Sequence, residues 1–351
     1  MKKHTLMFVL AGAAAASSQA QTGVQIYGSI DAGLRYQTNV NAAGDGLLSV
    51  GTGNYYSNRL GFKGSEDLGG GLKARFTLES GFNSKTGALD NTNGVLFNRT
   101  ASVGMGGAWG FVDIGRQYTI AFRTEKFLDP FDHHYTGIVP LSSGAGTTLP
   151  AVATTAGLGA SSSSGTRFNN SVAYSKTTGP LKLSAEYAFG EVAGDNSKGS
   201  AQGAGFMYDK GPFLLAATFT HKETAAGFGN DAFVAGGGVR VGKATIKVAH
   251  SREVQETATA AEYRNQTTWA GVNYELTPAF EATFAGYRSQ YTGLGGSGGR
   301  RDLLILGGSY AFSKRTNLYA EVDLNRYRNA LIPASRQTHQ RAASFGINHL
   351  F

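Results

Sequence analysis

The stretch SNRLGFKGSEDLGGGLKARFTLESGF (residues 57–82) sets Arg59, Lys63, Lys73, Arg75 and Glu79 at alternate positions of an alternating pattern. Residues two apart share one face of a β-strand, so four cations and one carboxylate fall on a single face. Where such a face lines water in a narrow passage, it concentrates anions and repels cations. On an open sheet the same charges are simply solvated. Arginine suits the first role, because its charge cannot be titrated away and its planar fork pairs with carboxylates and phosphates. Folding the two segments about Gly69 and Gly70 pairs residues whose numbers sum to about 139. That register sets Arg59 beside Glu79 and Lys63 beside Arg75. In TRFNNSVAYS, the apolar Val172 and Tyr174 leave Arg167 and Asn169 on the polar face. Arg99 and Arg116 share the parity of apolar neighbours (Val103 and Met105; Val112 and Ile114). A bulge or a shifted strand start is needed to turn them inward.

Other chemistries find little support. A serine hydrolase needs a nucleophile, a histidine and an orienting group within reach, and no Gly-x-Ser-x-Gly elbow is present. Of the 7 histidines, His221, His250, His339 and His349 are scattered. His133 and His134 are adjacent, without the spacing or third ligand of a metal site. The glycine runs GGLKAR and GLGGSGG lack a Walker lysine and a strand–loop–helix setting. Enzymatic, cofactor, metal and nucleic-acid readings are therefore set aside.

The elements that must position these charges begin after residue 20. Lys2 and Lys3, the apolar run 6–16 and the small residues of SSQA before Gln21 read as a cleaved export signal, residues 1–20. Residues 21–351 are then a single domain. Export and the absence of cysteine exclude a disulfide scaffold. Glycine, at 50 of 351 residues, is about twice its usual share, and the net charge is +8. No later segment offers about 18 consecutive apolar residues, so a spanning helix is not expected.

Alternating segments recur instead. VQIYGSIDAGLRYQ, LKLSAEYAFG and TNLYAEVDLN each separate an apolar from a polar face. Sixteen such segments begin near residues 24, 54, 72, 95, 110, 167, 180, 202, 212, 231, 243, 263, 279, 301, 315 and 340. Short connections such as LGGG, DKGP and ELTP alternate with long polar ones, the longest at 119–166. A soluble sandwich does not sort its connections this way. The pattern is that of an all-β, 16-stranded antiparallel transmembrane β-barrel, whose polar face lines an aqueous lumen. The chain ends FGINHLF, so Phe351 is expected on the strand that closes the barrel against the first.

The blocks NRLGFKGSEDLGGGLKARFTLESGF, LFNRTASVGMGGAWGFVDIGRQYT, YAFSKRTNLYA and GINHLF make residues 24–351 resemble the general porins of β-proteobacterial outer membranes. The resemblance implies a homotrimer in the Gram-negative outer membrane, in contact with its lipid and lipopolysaccharide. It also implies passive diffusion of small ions and hydrophilic solutes. Its long third loop, here 119–166, folds into the lumen as a constriction. Arg59, Arg99 and Arg167 match an arginine cluster on the barrel wall, and Glu79 matches its acidic partner. Lys63, Arg75 and Arg116 complete the basic set, while Glu125, Asp129 and Asp132 on the loop oppose it. Anion preference is the expected outcome. A substrate-specific channel, for example for organic anions, would need an aromatic track, for which Tyr27, Tyr319 and Tyr327 have the right parity. An adhesin or receptor role for the long loops is the other alternative.

Overall fold

The computed structural model describes residues 23–91, 94–135, 166–224, 226–256, 262–293 and 298–351. Its strands are β1 (Gln25–Gln37), β2 (Leu47–Thr52), β3 (Arg59–Gly69), β4 (Leu72–Gly81), β5 (Thr100–Gly107) and β6 (Gly110–Tyr118). After helix α1 (Ile120–Leu128) come β7 (Arg167–Thr178), β8 (Leu181–Ala188), β9 (Ala201–Lys210), β10 (Phe213–Glu223) and β11 (Gly229–Val241). The last six are β12 (Ala244–Glu256), β13 (Glu262–Thr277), β14 (Phe280–Thr292), β15 (Gly298–Ala311), β16 (Thr316–Asn329) and β17 (His339–Leu350). Neighbours pair antiparallel around the sheet, and β1 closes on β17 from Ser29↔Leu350 to Gln37↔Ala342. The ladder runs to the last residue: Gly28 and Phe351 exchange backbone hydrogen bonds of 3.1 and 3.2 Å. Closure pairs every sheet edge, which is what a bilayer demands of a spanning sheet.

Strands β2 and β3 both pair with β1, β2 through Leu34↔Val50 and β3 through Ile26↔Phe62. They are two halves of one stave, so the barrel has sixteen staves. The continuous strand expected from residue 54 is thus interrupted at 53–58. The cause is Asp31, whose buried carboxylate accepts the N–H groups of Asn54 (2.8 Å) and Tyr56 (3.3 Å) and the Tyr319 hydroxyl (2.9 Å). Asn58 in turn accepts the Asp31 N–H at 2.5 Å. These side-chain bonds replace the ladder bonds lost at the break. The stave expected from residue 95 starts at Thr100 instead. Before it, the Asn98 amide oxygen takes the Gly81 N–H at 2.9 Å, a bond the ladder would otherwise use.

Alternation sorts the two faces. On β16, Val322 and Leu324 are exposed while Glu321, Asp323 and Asn325 are buried inside. On β17, Phe345 and Ile347 point out and Ser344 and Asn348 point in. The outer apolar band has no partner within the chain, so it needs lipid. Exposed Trp109, Phe213, Tyr274, Tyr310 and Phe312 mark the short-turn rim, as an interfacial aromatic girdle does. The main buried apolar cluster is not a core between two sheets. It lies inside the barrel, where Leu128, Phe131 and Tyr135 meet Leu214, Val234, Trp269, Leu303 and Ile305 of the wall.

A candidate constriction inside the barrel

Three arginines converge on one part of the inner wall. Glu79 of β4 lies inward and buried, with Arg59 Nη1 3.6 Å from its Oε1. The Tyr27 hydroxyl donates to Glu79 Oε2 at 3.0 Å, and the Tyr118 hydroxyl lies 3.4 Å from Oε1. Arg167 Nη2 donates to the Tyr118 oxygen at 2.8 Å and Arg99 Nη1 at 3.3 Å. Arg99 also pairs with Asp90 at 2.5 Å. The two carboxylates neutralise part of the positive charge, and the shared hydroxyl fixes two guanidinium groups. Charge-assisted bonds of this kind hold long side chains in one geometry.

The register is β3–β4 with Arg59↔Gly81, Gly61↔Glu79 and Lys63↔Thr77. Paired numbers sum to 140, so the expected sum of about 139 was off by one. Arg59 reaches Glu79 diagonally rather than directly across, and Lys63 faces Thr77 rather than Arg75. Lys63 Nζ sits 4.9 Å from the centre of the Tyr27 ring. Arg75 grips Asp113 of β6 with two prongs, Nε at 2.7 Å from Oδ1, and stacks 4.0 Å over Phe111.

Arg99 turns inward because it precedes the delayed start of β5, which frees it from strand parity. Arg116 does not join the cluster. It sits where the β6–β7 ladder steps from Gly115↔Ser171 to Gln117↔Phe168. Its Nε donates to the Asn98 carbonyl at 2.7 Å and its Nη1 bonds to Asn169. The same bulge puts Phe168, not Asn169, beside Ala188 and Ala201. The inward assignment of Asn169 is thereby corrected.

The loop that follows β6 starts as a short amphipathic helix. Thr119 is its N-cap and accepts the Phe122 N–H at 3.1 Å. Glu186 of β8 accepts the Ile120 N–H at 3.0 Å, a carboxylate at the positive end of the helix. Ile120, Ala121, Thr124, Glu125 and Leu128 are buried on one face of α1, which packs on β8 to β12. Beyond the helix, wall side chains catch the loop backbone. Trp269 Nε1 donates to Leu128 O at 3.1 Å, Asn273 to Pro130 O at 2.6 Å, and Lys247 to Asp129 O at 2.8 Å. Two wall glycines make room: a Cβ at Gly271 would lie 2.7 Å from Pro130, and one at Gly307 2.8 Å from Tyr135. Residues 136–165, the rest of the expected constriction loop, lie outside the described residues.

This docking overturns the expected acidic face of the loop. Glu125 is fully buried against the wall, where burial, then Glu253 and Asp129, push its pKa well above the usual carboxylate range. Asp129 is fully buried as well, accepting from the Tyr287 hydroxyl at 2.5 Å and the His133 N–H at 2.8 Å. Burial raises its pKa to about 6. Neither carboxylate opposes the arginines across the lumen. Asp132 stays exposed but is paired with Lys247 at 3.0 Å. The helix leaves Arg123 and Lys126 on its less buried side instead. Lys126 Nζ lies 5.8 Å from the Tyr56 ring centre, and the Arg59 guanidinium carbon lies 4.7 Å from that same centre. His133 and His134 are packed against Phe122 (4.8 Å) and Tyr55 (4.4 Å).

Sequence parity missed Tyr118, Arg123, Lys126 and the docking patch. The patch had a signal: FLLAA (213–217) and DLLILGG (302–308) are apolar at both parities. A stave facing lipid on one side and water on the other needs only one apolar parity, so the second announces something inside to cover. The inward tyrosines follow the same logic. Tyr319 stacks on Tyr55 at 5.2 Å and meets Tyr135 edge-on at 6.0 Å. It holds the loop rather than forming a track along the lumen.

A closed barrel of sixteen staves, apolar outside and polar inside, narrowed by an inserted loop, is the architecture of an outer-membrane channel. The sequence profile described as Gram-negative porin matches residues 6–330, and the chain belongs to that family. It is 32% identical over 229 residues to the outer membrane porin protein 32 of Delftia acidovorans, covering 64% of this chain and 61% of that protein. It is 26% identical to the major outer membrane protein P.IB of Neisseria meningitidis serogroup B, over 90% of this chain and 91% of that protein. Its fold matches that of an anion-selective porin from Comamonas acidovorans with a TM-score of 0.78 at 24% identity, covering 94% and 100% of the two chains.

Proposed function

We propose that the chain is a passive diffusion pore for small hydrophilic solutes, not an enzyme, with a preference for anions set at the Arg59–Arg99–Arg167 cluster. The observation that carries this reading is the arrangement of charge. The wall supplies three guanidinium groups around Tyr118, and the helix adds Lys126 beside the Tyr56 ring that Arg59 also covers. The loop carboxylates Glu125 and Asp129 are turned into the wall. Fixed cations at a narrow, low-dielectric constriction raise the local anion concentration. Membership of the porin family and the likeness to an anion-selective barrel add support.

On this reading, residues 1–20 are the export signal and 119–166 form the constriction loop of a single barrel domain. The protein works as a homotrimer among outer-membrane lipids and lipopolysaccharide. The test is the zero-current potential of the purified protein in a planar bilayer under a KCl gradient, with Arg59→Ala and Arg167→Ala alongside. A chloride-favouring potential that weakens in both variants is expected. A cation-favouring potential in the unaltered protein would overturn the selectivity, and folded protein without conductance would overturn the pore.

A further inference from the structure

The cations of the lumen do not end at the Tyr118 cluster. On β4, Arg75 lies on the same face as Glu79 and four residues nearer the short-turn rim, roughly 13 Å along the strand. On β6, Asp113 lies five residues nearer that rim than Tyr118. These two close on each other: Arg75 Nε donates to Asp113 Oδ1 at 2.7 Å, and the Arg75 guanidinium carbon sits 4.0 Å over the Phe111 ring. Two more cations approach the pair. Lys182 is the second residue of β8 and shares the inward parity of Glu186. Arg123 stands on α1 three positions after Ile120, whose N–H is anchored by Glu186 at 3.0 Å. Arg123 is within electrostatic reach of Glu186, Asp113 and Arg75, and Lys182 within reach of Arg123, Arg75 and Asp113. Asp113 is already gripped by Arg75, and Glu186 serves the positive end of the helix. Arg123 and Lys182 have no ion-pair partner among the described residues. No further side-chain carboxylate is left to reach them, because all 24 Asp and Glu residues lie among the described residues and 136–165 carries no charged residue. Like charges held close together raise the energy of the wall, and an anion between them reverses the sign.

We infer that Arg123 and Lys182, beside the Arg75–Asp113 pair, form a second anion site between the arginine cluster and the short-turn rim, and that it takes a compact oxygen dianion such as hydrogenphosphate or sulfate. The inference rests on the pore reading above and extends it by a substrate class. A chloride ion offsets one of the two free charges, whereas a dianion offsets both. The planar fork of Arg123 suits a pair of oxygens, and the Lys182 ammonium adds a point charge on a flexible stem. The step of roughly 13 Å from the level of Glu79 exceeds the Debye length of about 10 Å at 0.1 M salt. The two sites therefore fill largely independently. The arginine cluster selects for anions, and the second site holds a dianion long enough to slow the chloride behind it. Conduction through such a series requires each site to bind and to release.

The test uses the purified, folded full-length protein and an Arg123→Gln/Lys182→Gln variant. Chloride current across a planar bilayer is read while sulfate or acetate is added at constant ionic strength. Sulfate should halve the current of the unaltered protein at a concentration well below that of acetate. The variant should need roughly 5- to 30-fold more sulfate, since one charge contact near 4 Å in water-like surroundings is worth about fivefold. Arg123→Lys retains the charge and should stay close to the unaltered protein. A second readout needs no current. Reductive methylation of Lys182 in detergent, followed by peptide mass spectrometry, should slow with sulfate and not with acetate, and Arg123→Gln should remove that protection. Heat-modifiable gel migration checks the fold of each sample. Sulfate block and Lys182 protection that persist unchanged without Arg123 would overturn the inference, as would acetate acting as strongly as sulfate. Folded protein that passes no current while sulfate still protects Lys182 would overturn the pore reading and uphold the site.

Discussion

Arg99 and Arg167, one from the chain just before β5 and one from the start of β7, both donate to the Tyr118 hydroxyl, at 3.3 and 2.8 Å. Two like charges are thereby held at one oxygen, with the Tyr118 ring also 4.2 Å from the Arg167 guanidinium carbon. Tyr118→Phe keeps all three positive charges but removes the group that aims two of them. The expected outcome is a reduced chloride preference, by less than Arg167→Ala produces. Reversal potentials of the two variants measured side by side check the order; equal losses would mean that aim, not charge, sets selectivity.

Glu79 opposes the cluster from within. Replacing it with Gln keeps the shape and a hydrogen-bond acceptor for Tyr27 but removes the negative charge 3.6 Å from Arg59. A charge pair at about 4 Å in water-like surroundings is worth roughly 1 kcal/mol. Glu79→Gln should therefore raise the chloride-to-potassium permeability ratio a few-fold. A fall in that ratio would show that Glu79 acts mainly by holding Arg59 in place.

The docking of 119–135 should depend on Trp269. Its indole N–H satisfies the buried Leu128 carbonyl, and its ring belongs to the apolar cluster inside the barrel. Trp269→Phe leaves that carbonyl unpaired, at a cost of about 1–3 kcal/mol. Hydrogen exchange in peptides covering 120–135 should speed up by roughly 5- to 150-fold, with strand peptides unchanged. Unchanged exchange in the loop would mean that the apolar contacts alone hold it.

The loop also carries two opposed pH dependences. Asp129, raised to about 6 by burial, and Glu125, raised well above the ordinary range, bind protons more tightly docked than free. Asp129's contribution to docking therefore grows as pH falls through about 6, Glu125's changes in the same direction, and both are lost as pH rises. His133 and His134, held down to about 3 by burial and then by Lys126, behave the other way. Their contribution is complete above the ordinary imidazole range and is lost as pH falls toward 3. The unaltered loop should thus change little between pH 7 and pH 5. In a Glu125→Gln/Asp129→Asn variant the histidines are the only ones of the loop's four shifted groups that remain, and loop exchange at pH 5 should be at least about tenfold faster than at pH 7.5. A variant as flat as the unaltered protein would show that the histidines do not titrate on release.

Alternation by itself determined the barrel: the sixteen segments, the inward and outward faces and the short and long connections are local, period-two properties of the chain. Parity also placed Arg59, Lys63, Arg75 and Glu79 on the inner wall, because their strands run unbroken beside a tight glycine turn. It failed where a side chain replaces a ladder bond. Asp31 splits the second stave, Asn98 delays the fourth (β5), and the step opposite Arg116 resets the sixth (β7). Each depends on a partner distant in sequence, so no local pattern announces it.

The direction of the loop charges was likewise settled only in three dimensions. In sequence Glu125, Asp129 and Asp132 read as an acidic stretch facing the arginines. Tertiary packing rotates α1 so that Leu128 and Ile120 meet the wall, and Glu125, five positions from Ile120 and three from Leu128, is carried under with them. An apolar stripe fixes which way a short helix turns, and the charges go where that stripe leaves them. The polar and apolar order of the chain made the barrel and its two faces; the docking of one nine-residue helix on an apolar patch inside it decided which of the loop's charges turn into the wall.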